Sequence, residues 1–440
     1  MGLFRIQSLG FRVSIRMFKK ITLSNGLRIL TAPMHGTNTV TALVVCGTGS
    51  DFEAREERGI SHFLEHMFFK GTASRPSAGG IRNELDQMGS ESNAFTSHET
   101  TGYYIKAGKS HAERAIKILA DIYKNSLLSA DEINRERQVI VEELNMRRDN
   151  PQSYIGWMWE RILYGDQPAG WEPVGILETL GRFQREDLVR YFLHQYVSGN
   201  TMIVMAGSLD EEVMRRLAAD EFSDIREDKP RPKPAVIEPQ SAPALLVEER
   251  KTDQTHLIIG FRAHGVPHPR RYAIDLLATV LGGNWSSRMF AEIRDRLGLA
   301  YAIGSSNTTY TNRGYIETYA GVAHGNVEKA IAAILGEYRR IREEAVKGED
   351  LARALDFLKG RTLMDLETSD AVASFVAGEE MLTGQPLTIE EVFAKLEAVT
   401  IADVQAAARE LFRPERLNAV VLGPLGESNG RIQSLLESFV

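Results

Sequence analysis

Short apolar runs alternate with longer amphipathic stretches along the first half of the chain. Three runs before residue 47 have the length and composition of strands, and Asn25-Gly26 between two of them is a typical turn. Stretches with an apolar residue every three to four positions predict helices. The predicted strands are 21–23, 27–31, 39–46, 91–97, 101–107 and 201–206. The predicted helices lie within 58–72, 79–88, 110–127, 129–148, most of 151–196 and 209–223.

A proline-rich segment divides the chain, and the pattern restarts beyond it. Five prolines between Glu227 and Ala244 predict a stiff, extended linker. A shift of 215 residues lays 42–49 over 257–264 and 113–116 over 328–331, which indicates an internal repeat. We therefore predict an α+β protein of two homologous halves. Its predicted parts are an N-terminal extension at 1–17, a first half at 18–226, the linker at 227–244 and a second half at 245–440.

The composition is that of a globular protein with a large core. At 440 residues, with 43% hydrophobic residues, the chain is too long for one typical domain. A net charge of -7 argues against a nucleic-acid-binding surface, and no apolar run reaches membrane-spanning length. The single cysteine, Cys46, cannot form an intrachain disulfide, which fits a reducing compartment. We expect a soluble, cytoplasmic protein without nucleic-acid or membrane partners.

The N-terminus leaves a second location open. No acidic residue precedes Asp51, and the basic residues before residue 21 fall largely on one side of a helical wheel. Such a segment is typical of organellar targeting sequences and would direct the protein to the mitochondrial matrix. The preferred interpretation of residues 1–16 is a disordered extension or an upstream start, because Met17 directly precedes the first predicted strand.

The strongest candidate for chemistry lies in the helix predicted within residues 58–72. It places His62 and His66 one turn apart, with Glu65 beside them. Two neutral imidazoles on one turn can bind zinc, and a carboxylate that is not itself a ligand can deprotonate a metal-bound water. The apolar neighbours imply burial, where polar side chains need partners. The alternative is a helix whose histidines are satisfied by hydrogen bonds.

The repeat provides an internal control on this motif. At the same shift, its three polar positions correspond to Leu277, Val280 and Leu281. The equivalent helix of the second half therefore closes its core with aliphatic side chains, so the fold does not require the polar trio. Function explains the trio in the first half better than packing does.

A catalytic zinc ion held by two histidines needs a third protein ligand, and the helix that begins at Ser129 offers candidates. Ser129 has the form of the first residue of a capping box. Glu136 and Glu143 share a face of this helix that we expect to be apolar. The apolar residues on that face are Val139, Ile140 and Met146. A carboxylate in the middle of such a stripe is costly unless it meets a cation.

Glu143 is therefore our predicted third ligand, and Glu136 is predicted to orient a ligand or tune the metal from outside its coordination sphere. Glu142 lies about a quarter-turn away, so we predict that it is solvated. The alternative for Glu143 is a side chain that reaches past the edge of the core to solvent.

These residues resemble the inverted zinc motif of the pitrilysin, insulin-degrading enzyme and mitochondrial processing peptidase family, the inverzincins. The motif is His62-x-x-Glu65-His66, followed by Glu143 in a segment, 136–144, that is similar to the family's third-ligand helix. Residues 92–97 are similar to its substrate-binding edge strand, and 294–301 to its arginine/tyrosine segment. The similarity spans most of the chain from about residue 18 and is greatest to the short-chain, processing-peptidase-like branch.

The resemblance implies a metallohydrolase fold of two homologous α/β-sandwich halves. It also implies that His62, His66 and Glu143 bind one zinc ion per chain and that Glu65 is the general base.

The resemblance further implies how substrate is bound. Asn93, Ala94 and Phe95 would hold it as an added strand, a mode that tolerates many sequences. Arg294 and Tyr301 would stabilise the oxyanion of the tetrahedral intermediate. Taken without the resemblance, Arg294 is an ordinary surface charge and Tyr301 a strand aromatic half in the core.

The predicted function is a zinc metalloendopeptidase that hydrolyses unfolded or short peptides inside a chamber formed by paired domains. The resemblance implies a homodimer with composite active sites, in which the arginine/tyrosine segment of one chain completes the zinc site of the other. The alternatives are a non-catalytic subunit that binds peptides or scaffolds an assembly, and a chain that needs a sister subunit. The histidines without ligand spacing, which we predict to be solvated, are His98, His111, His256, His264, His268 and His324.

Overall fold

Each half of the chain builds one mixed β-sheet covered by helices. This computed structural model describes residues 18–439, so the predicted extension at 1–17 lies outside the described residues. The strands of the first half are β1 (Lys19–Thr22), β2 (Arg28–Pro33), β3 (Thr39–Cys46), β4 (Glu91–Thr96), β5 (Thr101–Gly108) and β6 (Thr201–Gly207). Its helices are α1 (Ile60–Met67), α2 (Ala78–Gln87), α3 (Ala112–Asn125), α4 (Ala130–Asp149), α5 (Pro151–Tyr164), α6 (Leu177–Arg182), α7 (Arg185–Gln195) and α8 (Glu211–Phe222).

The second half has five strands and seven helices within the described residues. The strands are β7 (Ala244–Glu249), β8 (Thr255–Ala263), β9 (Ala300–Thr309), β10 (Gly314–Val322) and β11 (Leu417–Gly423). The helices are α9 (Arg271–Ala278), α10 (Val327–Glu343), α11 (Gly348–Asp365), α12 (Ser369–Thr383), α13 (Ile389–Glu397), α14 (Ile401–Leu411) and α15 (Asn429–Glu437). Two π-helical segments, Thr279–Gly283 and Phe290–Arg296, follow α9. No helix in residues 18–439 combines the length and apolar character needed to cross a bilayer.

The two sheets have the same strand order apart from β1. The first sheet runs β1-β2-β6-β3-β5-β4 and the second runs β7-β11-β8-β10-β9. Each contains one parallel pair, β2 with β6 and β7 with β11, while the other pairs are antiparallel. The predicted α+β architecture of two homologous halves is therefore confirmed.

The central strands β3 and β6 carry apolar side chains on both faces, and helices pack against both faces of their sheet. All residues of β6 are buried, and all but the first residue of β3 are buried. One face of the first sheet packs against helices of its own half, including α1, α3 and α4. Covered strands of this kind have continuous apolar runs rather than the alternation of a half-exposed sheet, which is why these two strands were predictable from sequence.

The two halves exchange one helix each across their interface. Val372 and Val376 of α12, from the second half, cover the outer face of the first sheet. Ile155, Met158 and Trp159 of α5, from the first half, cover the outer face of the second sheet. Each sheet therefore lies between its own helices and one helix contributed by the other half.

The segment between α8 and β7 is extended, as its prolines predict. Residues 223–243 contain no helix or strand. Arg231 pairs with Glu57, and Lys233 lies 2.9 Å from a carboxylate oxygen of Asp51, so this segment is held against the first half. The limits proposed for the linker and the two halves stay predictions.

A buried ion-pair network joins the two halves. Arg313, just before β10, donates to both carboxylate oxygens of Asp51 at 2.5 and 3.0 Å. His98 Nε2 lies 2.8 Å from Glu160, which also accepts from the hydroxyl of Tyr310 at 2.9 Å. The first half supplies the acids and the histidine, and the second supplies the arginine and tyrosine. The prediction that His98 is solvated is wrong, because it is buried between acids of distant segments.

Candidate metal centre

Helix α1 begins at a tightly constrained turn that fixes its position in the core. Gly59 has φ of +90°, and a Cβ there would lie 2.7 Å from the Cα of Gly175. The backbone N–H groups of Gly59 and Ser61 donate to the buried carboxylate of Glu53 at 2.7 and 2.9 Å. An acidic side chain at a helix N-terminus satisfies free backbone donors and complements the helix dipole. The turn therefore holds the helix that carries the polar trio.

The face of α1 that points away from the core meets α4. Buried apolar residues hold the inner face of α1 in the first core; they are Ile60, Phe63, Leu64 and Met67. Helix α4 starts at Ser129, whose hydroxyl accepts from the backbone N–H of Glu132. Within α4, Ile140 and Leu144 are fully buried. This packing brings Glu143, which immediately precedes Leu144, opposite the two histidines.

The three predicted ligands converge. Nε2 of His62 and Nε2 of His66 each lie 3.5 Å from the same oxygen of Glu143, Oε2. The two imidazole rings have centroids 4.8 Å apart and an interplanar angle of 72°. One ligand atom from each residue lies within 4.8 Å of the others. The side chain of Glu143 thus points toward the histidines rather than to solvent alone.

These distances fit a metal ion better than direct hydrogen bonds. A separation of 3.5 Å is long for an N–H···O bond. Ligand atoms about 2.0–2.1 Å from a tetrahedral zinc ion lie roughly 3.3–3.4 Å from each other. The other ring nitrogen of His62, Nδ1, is buried and finds no hydrogen-bond partner within the described chain. Neither nitrogen of His62 is therefore satisfied by a normal hydrogen bond within the described chain, which favours a metal ligand over a hydrogen-bonded core histidine at this position.

Charged side chains orient both His66 and Glu143. Nδ1 of His66 lies 3.2 Å from Oε2 of Glu136, whose other oxygen is 2.5 Å from the ammonium of Lys70. Burial lowers the pKa of His66, but its contacts with Glu136 and Glu143 outweigh burial and raise the pKa to about 9. A metal ion at Nε2 would therefore displace a proton, and the proton left on Nδ1 would be donated to Glu136. Arg147 contacts Oε1 of Glu143 at 2.9 and 3.0 Å, which leaves Oε2 for the histidines.

The environment shifts the pKa values of the cluster apart. Burial lowers the pKa of His62 to about 4, so its ring is neutral at pH 7, the form that binds metals. The contact with His66 lowers the pKa of Glu143 to about 2. Burial raises the pKa of Glu65 above its ordinary value, which brings it toward the range of an efficient proton carrier.

Strand β4, the predicted substrate strand, lies at the edge of the first sheet and contacts α1. Within the described residues it pairs only with β5. Ala94 packs against the first core, Asn93 is exposed, and Phe95 covers Gly102, where a Cβ would lie 2.3 Å from the phenyl ring. The N–H of Ala94 donates to the side-chain oxygen of Asn93 at 2.9 Å. The backbone N–H of Ala94 is thus already bonded to a side chain, which a strand that paired with this N–H would have to displace.

Arg294 and Tyr301 lie together in the second half. The guanidinium of Arg294 lies 4.6 Å from the ring centroid of Phe290 and 5.3 Å from that of Tyr301. Tyr301 is 76% exposed, so the interpretation of it as a half-buried strand aromatic is wrong. The structure brings the histidines, Glu65, Glu136 and Glu143 together, but the ring contacts of Arg294 lie within its own half.

Comparison with known proteins finds matches along most of the chain. The family model "Insulinase (Peptidase family M16)" matches residues 28–171, which include the whole cluster, and "Peptidase M16 inactive domain" matches residues 182–358. An uncharacterized zinc protease of Rickettsia felis is 34% identical over 91% of this chain and 96% of its own length. One of Bacillus subtilis is 31% identical over 92% and 98%. The chain belongs to peptidase family M16. A protease from Helicobacter pylori has the same fold, with a TM-score of 0.86 at 23% identity over 93% of this chain and all of its own.

Membership of the M16 family confirms the predicted resemblance, but one argument that led to Glu143 is wrong. Val139 and Met146, expected in a buried stripe, are 51% and 68% exposed. The buried positions of α4 are Ile133, Glu136, Ile140 and Leu144. Glu143 lies at the border of this face, with its side chain 24% exposed, and Glu142 is exposed as predicted.

The prediction of solvated histidines also fails at other positions in this M16 chain. His256 is buried, and His264 and His268 are half-buried against Glu410. The four-residue spacing of His264 and His268 equals that of His62 and His66, the predicted ligands in α1, and this was the signal available in the sequence. Its location in a proline-containing loop, rather than a helix, concealed it.

Proposed function

We propose that this chain is a zinc metalloendopeptidase that cleaves extended peptides. The observation that carries the proposal is His62, whose Nδ1 has no partner in residues 18–439 and whose Nε2 shares one oxygen of Glu143 with His66. The printed names of the relatives, uncharacterized zinc proteases, support the same metal and the same class of reaction.

His62, His66 and Glu143 would hold one zinc ion per chain. Zinc, when bound, supplies a Lewis acid that polarises the peptide carbonyl and acidifies water. Glu65 is not needed as a ligand, and its raised pKa suits it to accept a proton from water and return it to the leaving amine. Glu136 keeps the His66 proton on Nδ1.

The substrate would bind as a strand added to β4 through Asn93, Ala94 and Phe95. Backbone hydrogen bonds to an edge strand require an extended chain, which favours unfolded or short peptides over folded proteins. Paired domains would enclose these substrates in a chamber.

The oxyanion would be stabilised by Arg294 and Tyr301 of a second copy, so we propose a homodimer with composite sites. The exposure of Tyr301 supports this, because an aromatic side chain that is 76% exposed is available to another chain. Val139 and Met146, beside Glu143 on α4, are also exposed apolar side chains that a second copy would cover. For location we retain the cytoplasm, with the mitochondrial matrix as the alternative.

The first experiment measures zinc content and cleavage of a quenched peptide library by the purified chain. Glu65→Gln should keep zinc at this site and lose hydrolysis. His62→Ala should lose both the zinc of this site and hydrolysis because, of these two residues, His62 is the proposed ligand. Glu142→Gln, an exposed neighbour on α4, is the matched control and should behave as wild type. Peptidase activity retained in purified Glu65→Gln would refute the assigned role of Glu65.

A second experiment tests the composite site. Chains with Glu65→Gln are mixed with chains carrying Arg294→Ala and Tyr301→Ala, after dissociation and reassembly. Heterodimers should regain part of the activity, because one of their two sites is then complete. Verified heterodimers without activity would count against sharing.

The alternative functions make different predictions in the same assays. The second candidate function is a non-catalytic, peptide-binding subunit. The observation that favours it is the match of residues 182–358 to an "inactive domain". Such a subunit would bind peptides without cleaving them. A chain that needs a sister subunit would be inactive alone and active on mixing.

A further inference from the structure

A second cluster of two histidines and one glutamate lies in the second half. His264 directly follows β8, His268 lies four residues later, and Glu410 lies near the C-terminal end of α14. Nε2 of His264 is 2.6 Å, and Nε2 of His268 3.7 Å, from the same oxygen of Glu410, Oε1. One ligand atom of each residue lies within 4.8 Å of the others.

The residue types around this carboxylate are those of the first half, but the distances differ, because His264 makes a direct 2.6 Å contact with Glu410 while both histidines of α1 lie 3.5 Å from Glu143. In both clusters one carboxylate oxygen faces two Nε2 atoms and an arginine occupies the other oxygen. Arg147 contacts Oε1 of Glu143, and Arg270 contacts Oε2 of Glu410. The side chains of His264, His268 and Glu410 are 23–24% exposed, comparable with the 24% of Glu143. The chain thus presents two donor sets of the same composition.

The frame of the second cluster is fixed by the fold. Pro267 and Pro269 flank His268 and restrict the backbone of its loop. The N–H of Val266 donates to the carbonyl of Tyr310 at 2.9 Å, which ties this loop to the end of β9. Leu411, next to Glu410, is fully buried in the second core. Both sides of the cluster are therefore attached to ordered elements.

We propose that His264, His268 and Glu410 form a second metal site, which binds Zn²⁺ or another divalent transition metal. Imidazole donors favour zinc, cobalt, nickel and copper over magnesium and calcium, which prefer oxygen ligands. The bound ion would replace the direct hydrogen bond between Nε2 of His264 and Glu410, with the proton of that bond released to water or moved to Nδ1, and would link the β8–α9 loop to α14. This site is separate from the proposed catalytic one and adds to its single zinc ion per chain.

The second site is weaker than the first. Its imidazole rings are stacked, with centroids 3.8 Å apart and an interplanar angle of 13°. Nδ1 of His268 accepts from the backbone N–H of Arg270 at 3.3 Å, so a neutral His268 ring has its proton on Nε2 and must give up this hydrogen bond to bind an ion through Nε2. Binding one ion turns the His268 ring out of the stack. The positive charge of Arg270 beside Glu410 also opposes the cation. We therefore expect the site to fill only after the first cluster, as free zinc is raised.

Zinc binding to the full chain, measured by equilibrium dialysis and elemental analysis, tests this site independently of activity. Wild type should bind two ions per chain at saturation. The double variant His264→Gln, His268→Gln should bind one, and so should His62→Ala, His66→Ala. Glu65→Gln should bind two. Glutamine retains a polar group next to Glu410 but is a poor zinc ligand, which protects the fold.

The matched control is His35→Gln, His194→Gln, which removes two exposed histidines and should leave two ions bound. Thermal unfolding in chelator should give the same midpoint for wild type and His264→Gln, His268→Gln. Added zinc should then raise the midpoint less for that variant than for wild type. An unchanged zinc number in His264→Gln, His268→Gln would overturn the second site and leave the proposed function intact. If only the His62→Ala, His66→Ala protein lost zinc, the second site would likewise be overturned and the proposed function left intact.

Discussion

The two halves have different side chains at corresponding positions of one helix that packs against the sheet. In the first half α1 presents His62, Glu65 and His66, while the corresponding positions of the second half, Leu277, Val280 and Leu281, are buried aliphatic residues. Both halves nevertheless build the same strand order. The fold is therefore indifferent to polarity at these positions, and the polar trio stands out against a scaffold that does not require it.

The halves also contribute unequally to the interface between them. The first half supplies Asp51, His98 and Glu160, and the second supplies Arg313 and Tyr310. Because Arg313 and Tyr310 come from the second half, their contacts with Asp51 and Glu160 form only when the halves meet. The contrast between the halves can be tested both at the trio and at this interface.

The largest effect should come from giving the first half the residues of the second. The triple variant His62→Leu, Glu65→Val, His66→Leu should lose zinc at the first site and reduce hydrolysis by at least about 10⁴-fold, since two proposed ligands and the proposed base are removed together. Its thermal midpoint in chelator should equal or exceed that of wild type, because apolar groups replacing buried polar ones are often neutral or stabilising.

The reverse change serves as the control for that experiment. Leu277→His introduces an unpartnered polar group into the second core and should lower the free energy of unfolding by about 2–5 kcal/mol, measured with urea. A triple variant that fails to fold would contradict the view that the fold does not require the polar trio. A Leu277→His protein as stable as wild type would contradict the view that the second half needs an aliphatic residue there.

The next largest effect is expected at the interface. Asp51→Asn should lower the free energy of unfolding at pH 7 by about 3–5 kcal/mol, because Arg313 then stays buried without its carboxylate. Burial raises the pKa of Asp51, but His98 and Arg313 outweigh burial and hold the pKa well below its ordinary value of 3.8. The stabilisation is therefore present above pH about 4 and is lost as the pH falls further. We expect urea unfolding to show that the difference in free energy of unfolding between wild type and Asp51→Asn becomes smaller as the pH is lowered from 7 to 3.

A pH dependence of opposite sign is expected for His98. Burial lowers its pKa, but Glu160 and Asp51 outweigh burial and raise the pKa to about 9. The contribution of protonated His98 to the free energy of unfolding should be complete below pH about 6.5. It should disappear as the pH rises through 9, where the folded protein loses this proton. His98→Gln should thus lower the free energy of unfolding by about 1.5–3 kcal/mol at pH 6 and by less at pH 9.5. A pH-independent difference would exclude the charged form of His98 from the network.

The smallest effect sharpens the comparison within the first half. Glu136→Gln should weaken zinc binding by about 10–100-fold without abolishing it, because Glu136 orients His66 but does not face the ion. Competition with a zinc-binding dye measures the change. Glu132→Gln, near the start of the same helix, provides the control.

The elements and the trio could be predicted from the sequence because their signals are local. Strands β3 and β6 are continuous apolar runs, Ser129 begins a capped helix, and the spacing of His62 and His66 specifies one helical turn. The repeat was detectable because it preserves the spacing of whole elements. These features depend on residues a few positions apart.

What could not be predicted depends on partners far along the chain. The burial of His98 is set by Asp51, Glu160 and Arg313, which come from three separate segments. The buried face of α4 is set by the way it packs against α1, α5 and α6, so an apolar period identified the helix but not which side of it faces solvent. Glu410 reaches His264 and His268 only because α14 folds back beside β8.

The exchange of α5 and α12 has a consequence for how the protein is made on the ribosome. The outer surface of the first sheet stays uncovered until α12, which ends at Thr383, has emerged. A first half produced alone would therefore leave the apolar outer surface made by β2, β3 and β6 open to water, a condition that promotes aggregation or capture by chaperones. The first sheet is covered only after the second half has been synthesised, so we expect the two halves to fold as one cooperative unit.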